Sequence, residues 1–173
     1  ERDVIEGPRA ARSDELVAVA ALADTVFGED RPHDMRRWYP TLFSRENLDR
    51  LRVFADDGRP VALAGFTVKR VAAPGVSFTA ACIGAVCTLK SHQGRGLGTQ
   101  LVDDCVARSR GEEADVLLVS GGRGLYRRMG CIDAGEYRTL VVARGAASRA
   151  VSRATRPLPG AAVREWNKKD LPH

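Results

Sequence analysis

The sequence predicts an α/β fold, with α+β character, built on a single mixed sheet. Three observations carry this. Two β-rich runs, "LRVFA" and "RPVALAGFTVKRV", meet at Asp57-Gly58, a strong hairpin signal. A third long β-run, "GVSFTAACIGAVCTLK", follows at Pro74-Gly75. A glycine-rich loop then leads into an amphipathic helix and another apolar run, the layout of a β-α-β crossover. An antiparallel meander followed by a crossover is therefore expected.

The elements follow in order. "RDVIEGPRAAR" is short and partly apolar, which suits an edge strand. Ser13 is placed to cap the next helix, with Asp14 and Glu15 favourable at its positive end. Leu16, Val19, Ala20, Ala23 and Phe27 recur at helical spacing on one face. "FGEDRPHD" breaks that helix, and "MRRWYPTLF" reads as a second, short one rich in aromatics.

After the three β-runs, Leu97, Leu101, Val102, Cys105 and Val106 form one helical stripe, and Asp103, Asp104 and Arg108 are expected to face away. "ADVLLVS" is a short apolar run that suits a buried parallel strand. "GGRGLYRRMG" holds a short helix ended by Gly130, and "CIDAGEYRTLVVA" closes as a hairpin.

Totals bound the answer. A chain of 173 residues, 44% hydrophobic and 28% charged, is long enough for one packed domain and short for two. No apolar run is long enough to span a membrane, and no signal-peptide layout opens the chain, so a cytoplasmic location and no membrane partner are expected. The sequence starts without Met, and a native start lying further upstream is the expectation.

The net charge of +5 is unevenly placed. Residues 1–143 hold 20 Lys/Arg and 20 Asp/Glu, while residues 144–173 hold seven against two. A balanced body with a basic tail offers no broad phosphate-tracking surface, so no nucleic-acid partner is expected. Cys82, Cys87, Cys105 and Cys131 form no C-x-x-C pair, and His33, His92 and His173 are scattered. Neither a metal site nor a disulfide framework is indicated, and reduced, mostly buried thiols are expected.

The domain reading is residues 1–143 as one ligand-binding domain and 144–160 as an Ala/Ser/Arg/Pro linker. Residues 161–173 are a tail or the start of a second domain, since "AAVREWNKKD" echoes the opening strand and helix.

The loop "SHQGRGLGTQ" carries the chemistry. A turn between a strand and a helix can aim several backbone N–H groups and the positive helix end at one anion. Glycine permits close approach and positive φ, and the Arg95 side chain can add a charge-assisted contact. A phosphate-bearing ligand fits. "GRGLGT" is not G-x-G-x-x-G, because Thr99 stands where the last glycine belongs, and no G-x-x-x-x-G-K-[ST] occurs.

Gln93-Gly94-Arg95-Gly96-Leu97-Gly98 resembles the Q/R-x-x-G-x-G/A signature of the GNAT N-acetyltransferase superfamily. "LLVSGGRGLYRRMGC" resembles its second landmark, a strand and then a helix bearing Tyr126 shortly before Gly130-Cys131. The likeness spans roughly residues 10–143. It implies a GNAT-like fold with splayed central strands and acetyl-CoA as co-substrate. It also implies transfer of the acetyl group to a primary amine, on a small molecule or a peptide, by direct attack.

Carried over residue by residue, the resemblance implies that Val86, Cys87 and Thr88 offer backbone groups to the pantetheine arm and the acetyl carbonyl. It implies that Gln93, Gly94, Arg95, Gly96, Leu97, Gly98 and Thr99 hold the pyrophosphate, while Ser120 and Gly121 close the far side. Tyr126 resembles the family's general acid, and a phenol is protonated at neutral pH. Core packing remains an alternative reading for Val86, Cys87 and Tyr126.

The base departs from the family pattern. Many relatives carry Glu eleven residues before the motif glutamine, where this chain has Cys82. No Asp or Glu occurs from Gly58 to Val102, which leaves a water chain, helped by backbone carbonyls or His92. The "SGGRGLY" segment and the restart near Val163 resemble the enhanced-intracellular-survival group of tandem acetyltransferases, which acetylate aminoglycoside and lysine amines. That likeness implies a second domain, and a base supplied by a C-terminal carboxylate missing from this chain. A homo-oligomer is the other arrangement left open.

Trp38, Tyr39, Phe43, Glu29, Asp30 and Asp34 are candidates for receiving the amine, with lid packing and a solvated turn as the alternative. A non-catalytic acyl-CoA-binding or regulatory module is the alternative function, favoured by the missing carboxylate.

Overall fold

β-branched and apolar runs favour extended backbone, and the five predicted runs up to "ADVLLVS" form strands. The computed structural model describes residues 5–28, 33–73, 75–122 and 124–134. In it five strands lie side by side in chain order. β1 (Glu6–Ala10), β2 (Leu51–Asp56), β3 (Arg59–Ala73) and β4 (Val76–Thr88) pair antiparallel. β5 (Val116–Val119) pairs parallel with β4. This is the expected mixed sheet, a meander and then a crossover. Asp57 and Gly58, at φ 46° and 70°, make the β2–β3 turn, whose left-handed backbone matches strand twist.

The chain divides into two compact units, Glu1–Ile132 and Asp133–His173, and the architecture described is that of the first. Alternation along the strands gives the sheet two apolar faces. Leu51, Val53, Leu63 and Cys87 pack with Leu16, Val19, Ala20, Leu22 and Ala23 of α1 (Leu16–Phe27) and with Met35 of α2 (Met35–Trp38). Phe54, Ala62, Ala64, Phe66, Ala81 and Ile83 pack with Leu97, Leu101, Val102 and Cys105 of α3 (Leu97–Gly111). Tyr126 of α4 (Gly124–Arg128) joins this second cluster. Two 3-10 segments, Arg45–Arg50 and Lys90–His92, carry no sequence signal strong enough to predict them.

Several local expectations are corrected. Ser13 does not cap α1. Its place is taken by Glu15, whose carboxylate accepts from the Arg12 N–H at 2.8 Å and from the Arg9 guanidinium at 2.8 and 2.6 Å. Glu15 holds the cap position through its backbone: its C=O accepts the first helical bond, from the Val19 N–H at 2.8 Å, while its side chain fixes the turn before the helix. The Arg9 hydrogen bonds hold the Glu15 carboxyl below the usual carboxylate range.

Asp104 does not simply face away. It pairs with Arg52, a buried guanidinium on β2, and so brings α3 onto the sheet through charge as well as packing. β5 is half-buried on one face, through Leu117 and Val119, and exposed on the other at Val116 and Leu118. Cys82, opposite Leu118, is exposed as well, against the expectation of mostly buried thiols, whereas Cys87 and Cys105 are buried. The expected closing hairpin, the linker at 144–160 and the tail at 161–173 lie outside the described residues, except that the hairpin's first residues, 131–134, are described without a strand.

Candidate functional site

The site begins with a fault in β4. Gly65 pairs with Gly84 and Leu63 with Cys87, so two steps along β3 match three along β4. The extra residue is a bulge, and Ala85 in it adopts φ 54°, a conformation that a residue bearing Cβ seldom takes. On the other side of β4, pairing with β5 ends at Ile83–Val119. Neither register supplies Ala85 or Val86 with a partner. The pairing of β4 with β5 therefore ends at Ile83, just before the bulge.

Beyond β4, the 3-10 turn and the glycine loop carry the chain into α3. Gly94 and Gly96 sit at φ 77° and 75°, and Gly96 is the residue before the first helical one. The first intrahelical bond is Gln100 N–H to Gly96 C=O at 3.1 Å. The amides of Gly96 to Thr99 precede it, and among the described residues no backbone carbonyl accepts from Gly94 to Thr99. Six amides at the positive end of a fifteen-residue helix can thus converge on an anion.

A groove of about 450 Å³ runs along this loop. Val86, Cys87, Thr88, Gln93, Gly94, Gly96, Leu97, Gly98 and Thr99 all line it. Arg95 is exposed and is not among the described lining residues; the cation there is Arg128, from α4. The Gln93 side chain donates to the Thr88 carbonyl at 3.2 Å, tying the loop to the end of β4. His92 also lines the groove, with Nε2 2.9 Å from Asp56 and Nδ1 2.8 Å from the Ser91 hydroxyl. Its ring is engaged on both sides.

Val86 also lines a second cavity, of about 380 Å³. One wall is the bulge, Ile83 to Val86, continued by Ser120, Gly121 and Tyr126. The rest of the lining is Phe27 of α1, Met35 and Trp38 of α2, and His33, Tyr39 and Leu42 from the chain flanking α2. Tyr126 is buried, with its ring against Gly121. The His33 ring packs edge-on against Trp38, centroids 4.8 Å apart.

The candidate residues are thus brought together at two adjoining cavities, with exceptions. Phe43 is core, 3% exposed, and lines neither cavity. Asp34 caps α2, accepting from the Arg37 N–H at 3.0 Å. Cys82 lines neither cavity, and Glu29 and Asp30 lie outside the described residues. Sequence reasoning missed His33 and Arg128. The Arg127-Arg128 pair after Tyr126 was a usable signal for a groove cation, whereas nothing but residue type marked His33 within "FGEDRPHD". Among the described residues no group of His, Cys, Asp and Glu could hold a metal, and no helix is long and apolar enough to cross a membrane.

Comparison with known proteins agrees with this geometry. Residues 8–132 match the family described as Acetyltransferase (GNAT) domain. No curated protein matches the sequence. Among solved structures, a predicted acetyltransferase of Clostridium acetobutylicum crystallised with acetyl-CoA superposes with TM-score 0.62 at 14% identity, covering 77% of this chain and 94% of its own. A GNAT family acetyltransferase of Brucella melitensis, in complex with acetyl-CoA, gives 0.59 at 23%, covering 75% and 82%. Glucosamine-6-phosphate N-acetyltransferase of Arabidopsis thaliana gives 0.58 at 15%, covering 82% and 99%. At such identities these likenesses establish a shared fold.

Proposed function

The chain belongs to the GNAT acetyltransferase family, and from that premise we propose that it transfers the acetyl group of acetyl-CoA to a primary amine by direct attack. One observation carries the reading: two cavities adjoin at Val86, one beside the unpaired loop amides and the other beside Tyr126. A long ligand with an anionic end and a reactive end fits that pair. The loop amides and Arg128 face its diphosphate, and Val86, Cys87 and Thr88 flank the arm. Relatives crystallised with acetyl-CoA support the choice of ligand.

In this reading the thioester carbonyl lies at the bulge, where backbone N–H groups released from pairing stabilise the developing oxyanion. The amine nitrogen bonds to the carbonyl carbon, the carbon–sulfur bond breaks, and the departing thiolate takes the phenolic proton of Tyr126. The proton lost by the amine goes to His33, an imidazole that lines the same cavity. His33 fills the part for which β4 offers no carboxylate.

The test follows thiol release from acetyl-CoA against a panel of primary amines, beside a thermal-shift titration with acetyl-CoA. Turnover that falls about a hundredfold in both Tyr126→Phe and His33→Gln, with acetyl-CoA binding retained, is the expected result. Binding without turnover of any amine, and no effect of Tyr126→Phe, would establish the alternative acyl-CoA-binding module. That alternative is favoured by one observation, the absence of a carboxylate from the described lining of the second cavity.

The likeness to the enhanced-intracellular-survival group supports a further proposal, a second acetyltransferase-like domain after the 144–160 linker. A longer chain whose C-terminal truncation abolishes turnover would support it, and full activity of residues 1–143 alone would overturn it.

A further inference from the structure

Resting on the acetyltransferase reading, we infer that the acceptor is a monoamine carried on an apolar, ring-bearing body, and not a polycationic amine such as an aminosugar or polyamine. The cavity that Tyr126 lines is also lined by Phe27, Met35, Trp38, Tyr39 and Leu42, with His33 among them. Trp38 and Tyr39 are 50% and 53% exposed, large flat surfaces that a globular protein normally covers. They lie on the one-turn helix α2 and just beyond it, and His33 packs on Trp38 edge-on, which holds the indole in place. A flat ring stacked between them would bury that surface and direct an attached aminoalkyl group toward the bulge.

Charge argues the same way. A polycation binds where several carboxylates face it at short range. The described lining of this cavity has none. Of the acids described in this region, Asp24 accepts from the Met35 N–H at 2.7 Å and Asp34 from the Arg37 N–H at 3.0 Å. α2 itself contributes Arg36 and Arg37, both exposed, whose charge repels a second and third ammonium. A single amine escapes most of this repulsion, because it reacts in its neutral form.

The experiment compares phenethylamine and tryptamine with spermidine and kanamycin as acceptors, by thiol release from acetyl-CoA, in the wild type and in Trp38→Ala. The inference expects kcat/KM for the ring-bearing monoamines to exceed that for the polycations by about tenfold or more. It expects Trp38→Ala to cost the monoamines about tenfold while the KM for acetyl-CoA stays put. Preference for the polycations, or an equal loss for both classes in Trp38→Ala, overturns it while leaving the acetyltransferase reading intact.

If no amine is turned over, calorimetric titration of phenethylamine into the CoA-loaded protein decides the matter separately. Binding that Tyr39→Ala and Trp38→Ala each weaken supports the inference, and absence of binding overturns it.

Discussion

Gly121 and Tyr126 are in contact: a Cβ on Gly121 would stand 3.1 Å from Cε2 of the Tyr126 ring. Glycine two residues beyond β5 is what lets the buried Tyr126 ring lie against the chain that lines the cavity. An added methyl must push the ring, and displacement of a catalytic group by a fraction of an ångström is costly. Gly121→Ala is therefore expected to lower kcat by about tenfold or more, with acetyl-CoA affinity unchanged. Steady-state kinetics of Gly121→Ala, Tyr126→Phe and the double variant check it. The double variant should be no slower than Tyr126→Phe alone, because both changes remove one function.

The three loop glycines separate strain from ligand contact. Gly94 and Gly96 hold positive φ, where a residue with Cβ costs about 1–2 kcal/mol, so alanine at either lowers thermal stability. Gly98 lies inside α3, where its Cβ would meet nothing closer than Thr88 Oγ1 at 3.8 Å. Alanine there suits the helix and should raise stability by up to about 1 kcal/mol. Yet the added methyl enters the groove beside the free amides. Gly98→Ala is expected to weaken acetyl-CoA binding while leaving or raising the melting temperature, read by thermal denaturation with and without acetyl-CoA. Unchanged affinity would mean that the ligand passes Gly98 at a distance.

The parts of this site visible in the sequence are those written as local pattern. Glycines demanding unusual backbone, a following amphipathic stripe and a tyrosine at fixed spacing placed the groove, the helix and Tyr126. What escaped is non-local or unmarked. The bulge depends on Ala85 at φ 54°, and alanine gives no hint of a left-handed backbone. Arg52 meets Asp104 across 52 residues of sequence, so a charge read as solvent-facing on a helical wheel is pinned to the sheet. Ser13 had the better capping propensity, but Glu15 had Arg9 on the neighbouring strand. His33 stands in a stretch whose only pattern is helix termination, and its place in the second cavity follows from how α1 packs on the sheet and α2 on α1.

Glu15 makes stability depend on acid. Its carboxyl is held down chiefly by the Arg9 hydrogen bonds and also by the Arg12 amide, so its folded pKa lies below the unfolded value of about 4.3. A depressed carboxyl contributes fully above the unfolded value and loses its contribution as pH falls through the folded one. Glu15→Gln is expected to cost about 1.5–3 kcal/mol at pH 7, the range for charge-assisted hydrogen bonds. The gap to the wild type should close below about pH 4. Urea midpoints at pH 7, 5 and 3 measure both, and a gap independent of pH would assign the cost to packing instead.

Cys105 gives the opposite dependence at the other end of the scale. Burial pushes its thiol up to about 12, with the Asp104 charge adding to the effect. The unfolded chain exposes an ordinary thiol that ionises near 8.5, so above that pH the unfolded state releases a proton which the folded state keeps. Fewer protons bound in the unfolded state means stability falls as pH rises, by up to about 1.4 kcal/mol per unit. Cys105→Ala removes the titrating group and leaves a small void, so it should be the less stable protein at pH 7. Its deficit should shrink steadily between pH 8.5 and 10.5 as the wild type loses stability faster. Alkylation supplies the control: exposed Cys82 is expected to react with iodoacetamide in the native protein, whereas Cys105 reacts only on unfolding. Native-state labelling of Cys105 at the rate of Cys82 would show that α3 opens from the sheet far more readily than its packing and the Arg52–Asp104 pair imply.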